Sequence, residues 1–242
     1  MDLIFKLEMH LVPMMAFLLV LSACQHEGPQ MLPVGNTSVL FINAKDSRDT
    51  SKFVAIPAVT LLKDTDTLKT VSPEFPSTDL WLGRYERGSY KLTYRNIFGQ
   101  TVSQSIKATG AAIDTIVLYV DKADFLGEAS CLIVDRLGDG ECFTIKYSSI
   151  GCFHLRDDSL TFSKKEGKLI ARYKTRELYL SKKQIEAVRE FEKQTKLIGG
   201  AGCTTVDSYQ ISYKKEISEF RDGSCKWHGF RFLKKELLGN DT

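Results

Sequence analysis

Along residues 36–121 apolar and polar side chains alternate in short runs: SVLFINA, FVAIPAVTLL, DLWLG, SYKLTYRNI, TVSQSIK and IDTIVLYV. Turn-forming stretches such as KDSRD, SPEFPS and FGQ separate them. In the fourth run Tyr90, Leu92 and Tyr94 alternate with Ser89, Lys91, Thr93 and Arg95, the pattern of a strand with one wet face. No stretch here combines a helix cap with a helical apolar period. The segment predicts an antiparallel β-sandwich, with Trp81 of DLWLG in its core.

Beyond a boundary at KADFLGE (122–128) the pattern changes. SCLIVDR and CFTIKYSS flank LGDGE (137–141), and SLTFSK and KLIARYK flank KEG; both read as hairpins with glycine-containing turns. Ser181-Lys182-Lys183-Gln184 is a capping box that opens a helix, with Ile185, Val188 and Phe191 as its buried stripe and Gly199-Gly200 as its stop. VDSYQISY and EISEF form a third hairpin around Lys214-Lys215, and the amphipathic GFRFLKKELLG closes the segment. The chain is therefore expected to be mainly β with two domains. The β-sandwich of 36–121 precedes an α+β domain at 126–239, an antiparallel sheet with one long helix and a short C-terminal one.

Ahead of both, Leu11–Ala23 is almost wholly apolar, and it is too short to span a bilayer as a helix, which takes about 20 residues. A buried helix would show polar residues at helical spacing, and this run shows none. It fits the apolar core of a signal peptide, and Leu21-Ser22-Ala23-Cys24 resembles the lipobox of bacterial lipoproteins. That resemblance implies a signal peptide at 1–23, removed before a lipid-modified Cys24. It also implies a lipid-anchored protein of the bacterial cell envelope, reaching the membrane through that lipid. With Gln25 rather than Asp after the cysteine, the resemblance to lipoproteins implies the outer membrane. Residues 24–35, with QHEGPQMLPVGN, read as a flexible tether. Within the first domain, Gly88-Ser89-Tyr90-Lys91-Leu92 resembles the G-x-Y-x-L strand of prealbumin-like and carboxypeptidase-regulatory-like sandwiches, which implies a spacer or binding module. GCFH, CTTVDSY and SCKWHGF resemble an uncharacterised lipoprotein domain and bring no activity with them.

The net charge of +3 is spread through the chain without a Lys/Arg block, so no nucleic-acid partner is expected. No second long apolar stretch follows the leader. Besides Cys24 the cysteines are Cys131, Cys142, Cys152, Cys203 and Cys225, an odd number confined to the second domain. A two-residue turn at Lys214-Lys215 would set Cys203 and Cys225 almost opposite one another, within reach of a disulfide.

Candidate chemistry is sparse. Cys152 and His154 of GCFH could form a thiolate–imidazole pair, but strand spacing alone brings positions i and i+2 to one face. Trp227 and His228 of DGSCKWHGF could present a ligand anchor, or the indole could be core. No stretch has zinc-ligand spacing, and neither KDTDT (63–67) nor LGDGE matches a calcium loop, so no metal or other cofactor is expected. Asp157 and Asp158 should point to opposite faces of a strand rather than share a site. Three functions remain open. The first is a binding or scaffold module for a glycan, the wall or an envelope protein. The second is a thiol-dependent enzyme or redox protein using Cys152 and His154, and the third is a disulfide-stapled enzyme inhibitor.

Overall fold

Which face of each strand is buried follows from the alternation, and in this chain it produces two separate cores. The computed structural model describes residues 35–125, 132–200 and 202–239. The leader with Leu21–Cys24, nearly all of the tether, part of the interdomain boundary and Cys131 lie outside the described residues. Within them the protein is mainly β, with antiparallel sheets in two domains and three helices. None of these helices is long and apolar enough to cross a membrane.

The first domain comprises β1 (Thr37–Asp46), β2 (Asp49–Phe53), β3 (Val59–Lys63), β4 (Asp66–Val71), β5 (Asp79–Glu86), β6 (Gly88–Arg95), β7 (Thr101–Ala108) and β8 (Ile113–Tyr119). One sheet has β1 between β5 and β8, with β2 on the end of β1; the other runs β4–β3–β6–β7. Leu40, Ile42, Ala44, Leu82 and Leu118 of the first sheet meet Val59, Leu61, Leu92 and Tyr94 of the second in one core. The antiparallel pattern has one exception. β1 and β8 are parallel, from Val39↔Ile113 to Lys45↔Tyr119, because the chain enters and leaves the domain on neighbouring strands running the same way. Trp81 is not in this core. It is 54% exposed and lies against Phe41, ring centroids 4.4 Å apart, on the outer face. Neighbours on a strand face opposite ways, so either Trp81 or the leucines beside it can point inward. Leu82, 1% exposed, takes the inner face.

The second domain comprises α1 (Ile133–Arg136), β9 (Cys142–Gly151), β10 (His154–Lys165), β11 (Lys168–Tyr173), β12 (Arg176–Tyr179), α2 (Lys182–Thr195), β13 (Val206–Tyr213), β14 (Glu216–Asp222) and α3 (Gly229–Leu238). Its sheet runs β12–β11–β10–β9–β13–β14, antiparallel throughout. Glu166 and Gly167 turn β10 into β11 with φ of 53° and 73°, the left-handed pair that tight hairpins favour. Phe143, Ile145, Leu160, Phe162 and Tyr209 on one face pack under Val188 and Phe191 of α2, Trp227, and Phe230 and Leu233 of α3.

The capping box opens α2 as expected: Gln184 N–H donates to Ser181 Oγ at 3.3 Å, and Ser181 N–H to Gln184 Oε1 at 3.0 Å. The helix ends at Thr195, ahead of the two glycines, where the Lys196 and Leu197 amides turn back onto Lys193 and Gln194 carbonyls. LGDGE does not join two strands. Both edges of β9 are occupied, by β10 and β13, so nothing remains for the preceding segment to pair with. That segment instead forms the single turn α1, whose Ile133 and Val134 amides donate to the buried Glu192 carboxylate at 2.6 and 2.9 Å.

The domains meet on the helix side of this sheet. Arg48, just past β1, donates to Asp46 from Nε and Nη2, both at 3.1 Å, lies 3.4 Å from Asp121 and reaches Gln194 Oε1 of α2 at 3.2 Å. Its guanidinium also sits 4.3 Å above the Phe232 ring. Burial raises both acids. For Asp46 the hydrogen bonds and charge of Arg48 outweigh burial and hold it low, while Asp121, deeper and facing Asp46, stays raised.

Candidate binding face

Because α2, α3 and the sandwich all lie on one side, the opposite face of the six-stranded sheet is open. Strand period and register lay out its side chains in cross-strand rows. Asp157, Ser148, Ser208 and Arg221 stand opposite one another across β10, β9, β13 and β14. The next row holds Ser159, Lys146, Gln210 and Glu219. Beyond it Thr161 and Thr144 share a 3.2 Å hydrogen bond, and Arg172 pairs with Glu177 at 3.2 Å. At the other end Leu155, Ile150 and Val206 form an aliphatic row, 68, 58 and 39% exposed. An open concavity of about 650 Å³ lies over the two central polar rows. That size suits a ligand site, commonly about 300–1,000 Å³.

Charge in this concavity is balanced and exposed. Lys146 lies diagonally across from Asp157, and Glu219 two residues along β14 from Arg221. Among the described residues none of the four makes an ion pair, and only Glu219 accepts a side-chain hydrogen bond, from Gln210 Nε2 at 3.1 Å. The signal was present in the sequence as the polar positions of β9, β10, β13 and β14. Only the register, and the gathering of both helices on one side, makes them a single surface.

The residues singled out by sequence are distributed elsewhere. Cys152 and Phe153 form the turn between β9 and β10, since Gly151 pairs with His154; the thiol is free and exposed, and Phe153 wholly so. His154 Nε2 lies 3.0 Å from Ser149 Oγ, so the imidazole is engaged on the helix side by a buried serine. Cys142, the other exposed free thiol, begins the ten-residue β9. At about 3.3 Å per residue the two thiols are roughly 30 Å apart, so they cannot join in one chain. Cys203 and Cys225 do join: their Cα atoms are 5.9 Å apart, and the bridge closes the mouth of the β13–β14 hairpin.

Trp227 is 2% exposed and is no ligand anchor. Its ring packs against Phe191 and Tyr209, with centroids at 5.4 and 4.9 Å, and its Nε1 donates to Gln194 Oε1 at 2.7 Å. The turn before α3 folds the indole inward over Gly229, where a β-carbon would collide with the ring. His228 is half-buried at the start of α3; burial lowers its pKa and the Arg231 charge adds to the effect, against Asp207. Asp157 faces the open side, whereas Asp158 turns to the helices and binds Lys234 Nζ at 2.9 Å. Among the described residues no group of three or more His, Cys, Asp or Glu side chains is placed to hold a metal ion.

On the helix side, Asp207 and Asp222 stand directly opposite on β13 and β14. Asp207 accepts from Tyr147 and Tyr209, and Asp222 accepts from Ser224 N–H through Oδ1. Asp222 Oδ2 is buried without a hydrogen-bond partner. No protein-family model and no curated protein sequence matches this chain.

Proposed function

We propose that the protein is a lipid-anchored binding module of the bacterial cell envelope, with the open face of the second domain as its binding surface. The observation that carries this reading is the concavity itself: a bare polar sheet face holding two cations and two carboxylates, none of them ion-paired within the described residues. The anchor is Cys24 of Leu21-Ser22-Ala23-Cys24, and from there to Gly35 the chain can reach at most about 40 Å. The sandwich acts as a spacer. β1 starts beside the tether, and its ten residues carry the chain about 30 Å to Asp46 and Arg48 at the domain junction. The second domain then presents its open face away from that junction. Catalysis by Cys152 and His154 gains no support from a ring engaged by Ser149.

Two measurements test this. Intact mass and palmitate labelling of the protein made in a bacterial host should show a chain that begins at acylated Cys24, and Cys24→Ser should remain an unprocessed precursor. The mature protein should bind isolated envelope fractions, and Lys146→Glu with Arg221→Glu should abolish that binding while leaving the melting temperature in place. Failure of the wild-type protein to bind any fraction refutes the binding reading.

A further inference from the structure

We infer that the occupant of the open face is an extended polypeptide that carries charges of both signs beside an aliphatic side chain. The inference rests on the binding reading above and names its ligand class. Three features point the same way. The first is charge. Lys146 and Arg221 call for anionic groups, while Asp157 and Glu219 call for cationic ones, within a single concavity. Each cation has a carboxylate about 7 Å away, across a diagonal or along one strand, yet among the described residues none of them is ion-paired. A polyanion would meet two carboxylates, and a neutral glycan offers hydroxyl hydrogen bonds but no opposite charge to any of the four. A chain of mixed charge can meet a carboxylate in one row and a cation in the next, as Asp157 and Lys146 are placed.

The second feature is spacing. The aliphatic row of Ile150 and the two polar rows follow one another every second residue along the strands, about 6.7 Å apart. An extended peptide laid along the strands repeats its same-side side chains at that interval. An aliphatic residue at position i, with charged residues at i+2 and i+4, therefore falls on the three rows in turn. The third feature is main-chain satisfaction. A peptide on a sheet face finds no ladder partner, and its N–H and C=O groups need side-chain ones. Ser148, Ser208 and Gln210 stand between the charges and supply hydroxyl and amide groups on the same rows.

The test uses the mature full-length protein and four probes in fluorescence anisotropy. Three are synthetic nine-residue peptides: one with leucine followed at alternate positions by lysine and glutamate, one with both charges lysine, and one with both glutamate. The fourth is a fluorescent, peptide-free fragment of wall glycan. The mixed-charge peptide should bind at least about tenfold more tightly than either single-sign peptide. Lys146→Glu should weaken it about tenfold with no change in melting temperature, and Ile150→Ser should weaken it as well. Equal binding of all three peptides, or indifference to Lys146→Glu, overturns the inference. Binding of the glycan fragment alone also overturns it but leaves the binding module standing, whereas binding of none of the probes or of envelope fractions overturns both.

Discussion

Each sheet of the sandwich hides one face against the other sheet, while the six-stranded sheet of the second domain hides one face beneath helices and leaves the other bare. The two tryptophans record the difference. Trp81 sits at the middle of a five-residue apolar-looking run and is turned outward by the leucines on either side of it. Trp227 lies in a loop among Ser, Cys, Lys and His, with no apolar period around it, and is the largest fully buried side chain of the chain's described part. Burial here follows from what lies above a position, a property of layers rather than of local composition. In the sandwich the covering layer is a second sheet; in the second domain it is a pair of helices, and the face they leave uncovered is the candidate binding face.

Removing the Trp227 side chain should break the comparison most sharply. Trp227→Ala empties the centre of the aromatic cluster and removes the indole hydrogen bond to Gln194, so a loss of about 3–5 kcal/mol is expected. Calorimetry should show the second domain melting early while the sandwich transition stays in place. Gly229→Ala should act in the same direction, because its methyl group would press into the indole. Next in size is reduction of Cys203–Cys225. The bridge spans 22 residues, and by chain entropy its loss should lower the second domain by about 3 kcal/mol, again without moving the sandwich transition.

Acid titration should give a smaller, pH-gated effect. Hydrogen bonds from Lys214, from Tyr213 and from the Gly138 amide hold Glu141 at about 2, below its ordinary 4.5. A depressed carboxylate stabilises fully above its unfolded value and loses that contribution as the pH falls toward its folded one. Glu141→Gln should therefore lower the urea midpoint near neutral pH, and the gap from wild type should close between pH 4.5 and 2. An undiminished gap at pH 2 would contradict the ion-pair origin.

Asp222→Asn should stabilise the second domain by up to about 1 kcal/mol, since it removes one of two like charges directly opposite on β13 and β14. The Asn carbonyl can keep the Ser224 amide, and its NH₂ gives the pair a donor. Smallest of all, Trp81→Ser should change stability by no more than about 0.5 kcal/mol, as expected of an outward-facing position. A Trp81 loss comparable to that of Trp227 would show that another layer covers the sandwich.

Local chemistry made part of this architecture legible in advance. The capping box at Ser181 and Gln184 needs only adjacent residues, and it opens α2 where expected. The two-residue turn at Lys214-Lys215 sets a register, and the register brings Cys203 to Cys225. What escaped depends on contacts between distant segments. Ile133–Arg136 looks like a strand by composition, but β9 has no free edge to offer it, and Glu192, some 60 positions on, ties its amides into a turn. The parallel β1·β8 pair and the sidedness of α2 and α3 are likewise decided by topology. The candidate face was visible only as scattered polar positions, because its rows are assembled from four strands out of sequence order.

The parallel pairing of β1 and β8 has a mechanical meaning. A pull between the chain ahead of β1 and the second domain enters at the start of β1 and leaves past the end of β8, at opposite ends of one ladder. Parallel strands drawn from opposite ends are loaded in shear, so the hydrogen bonds from Val39↔Ile113 to Lys45↔Tyr119 share the tension instead of opening one after another. A load applied between the start of β1 and the second domain thus meets a force clamp built into the first domain.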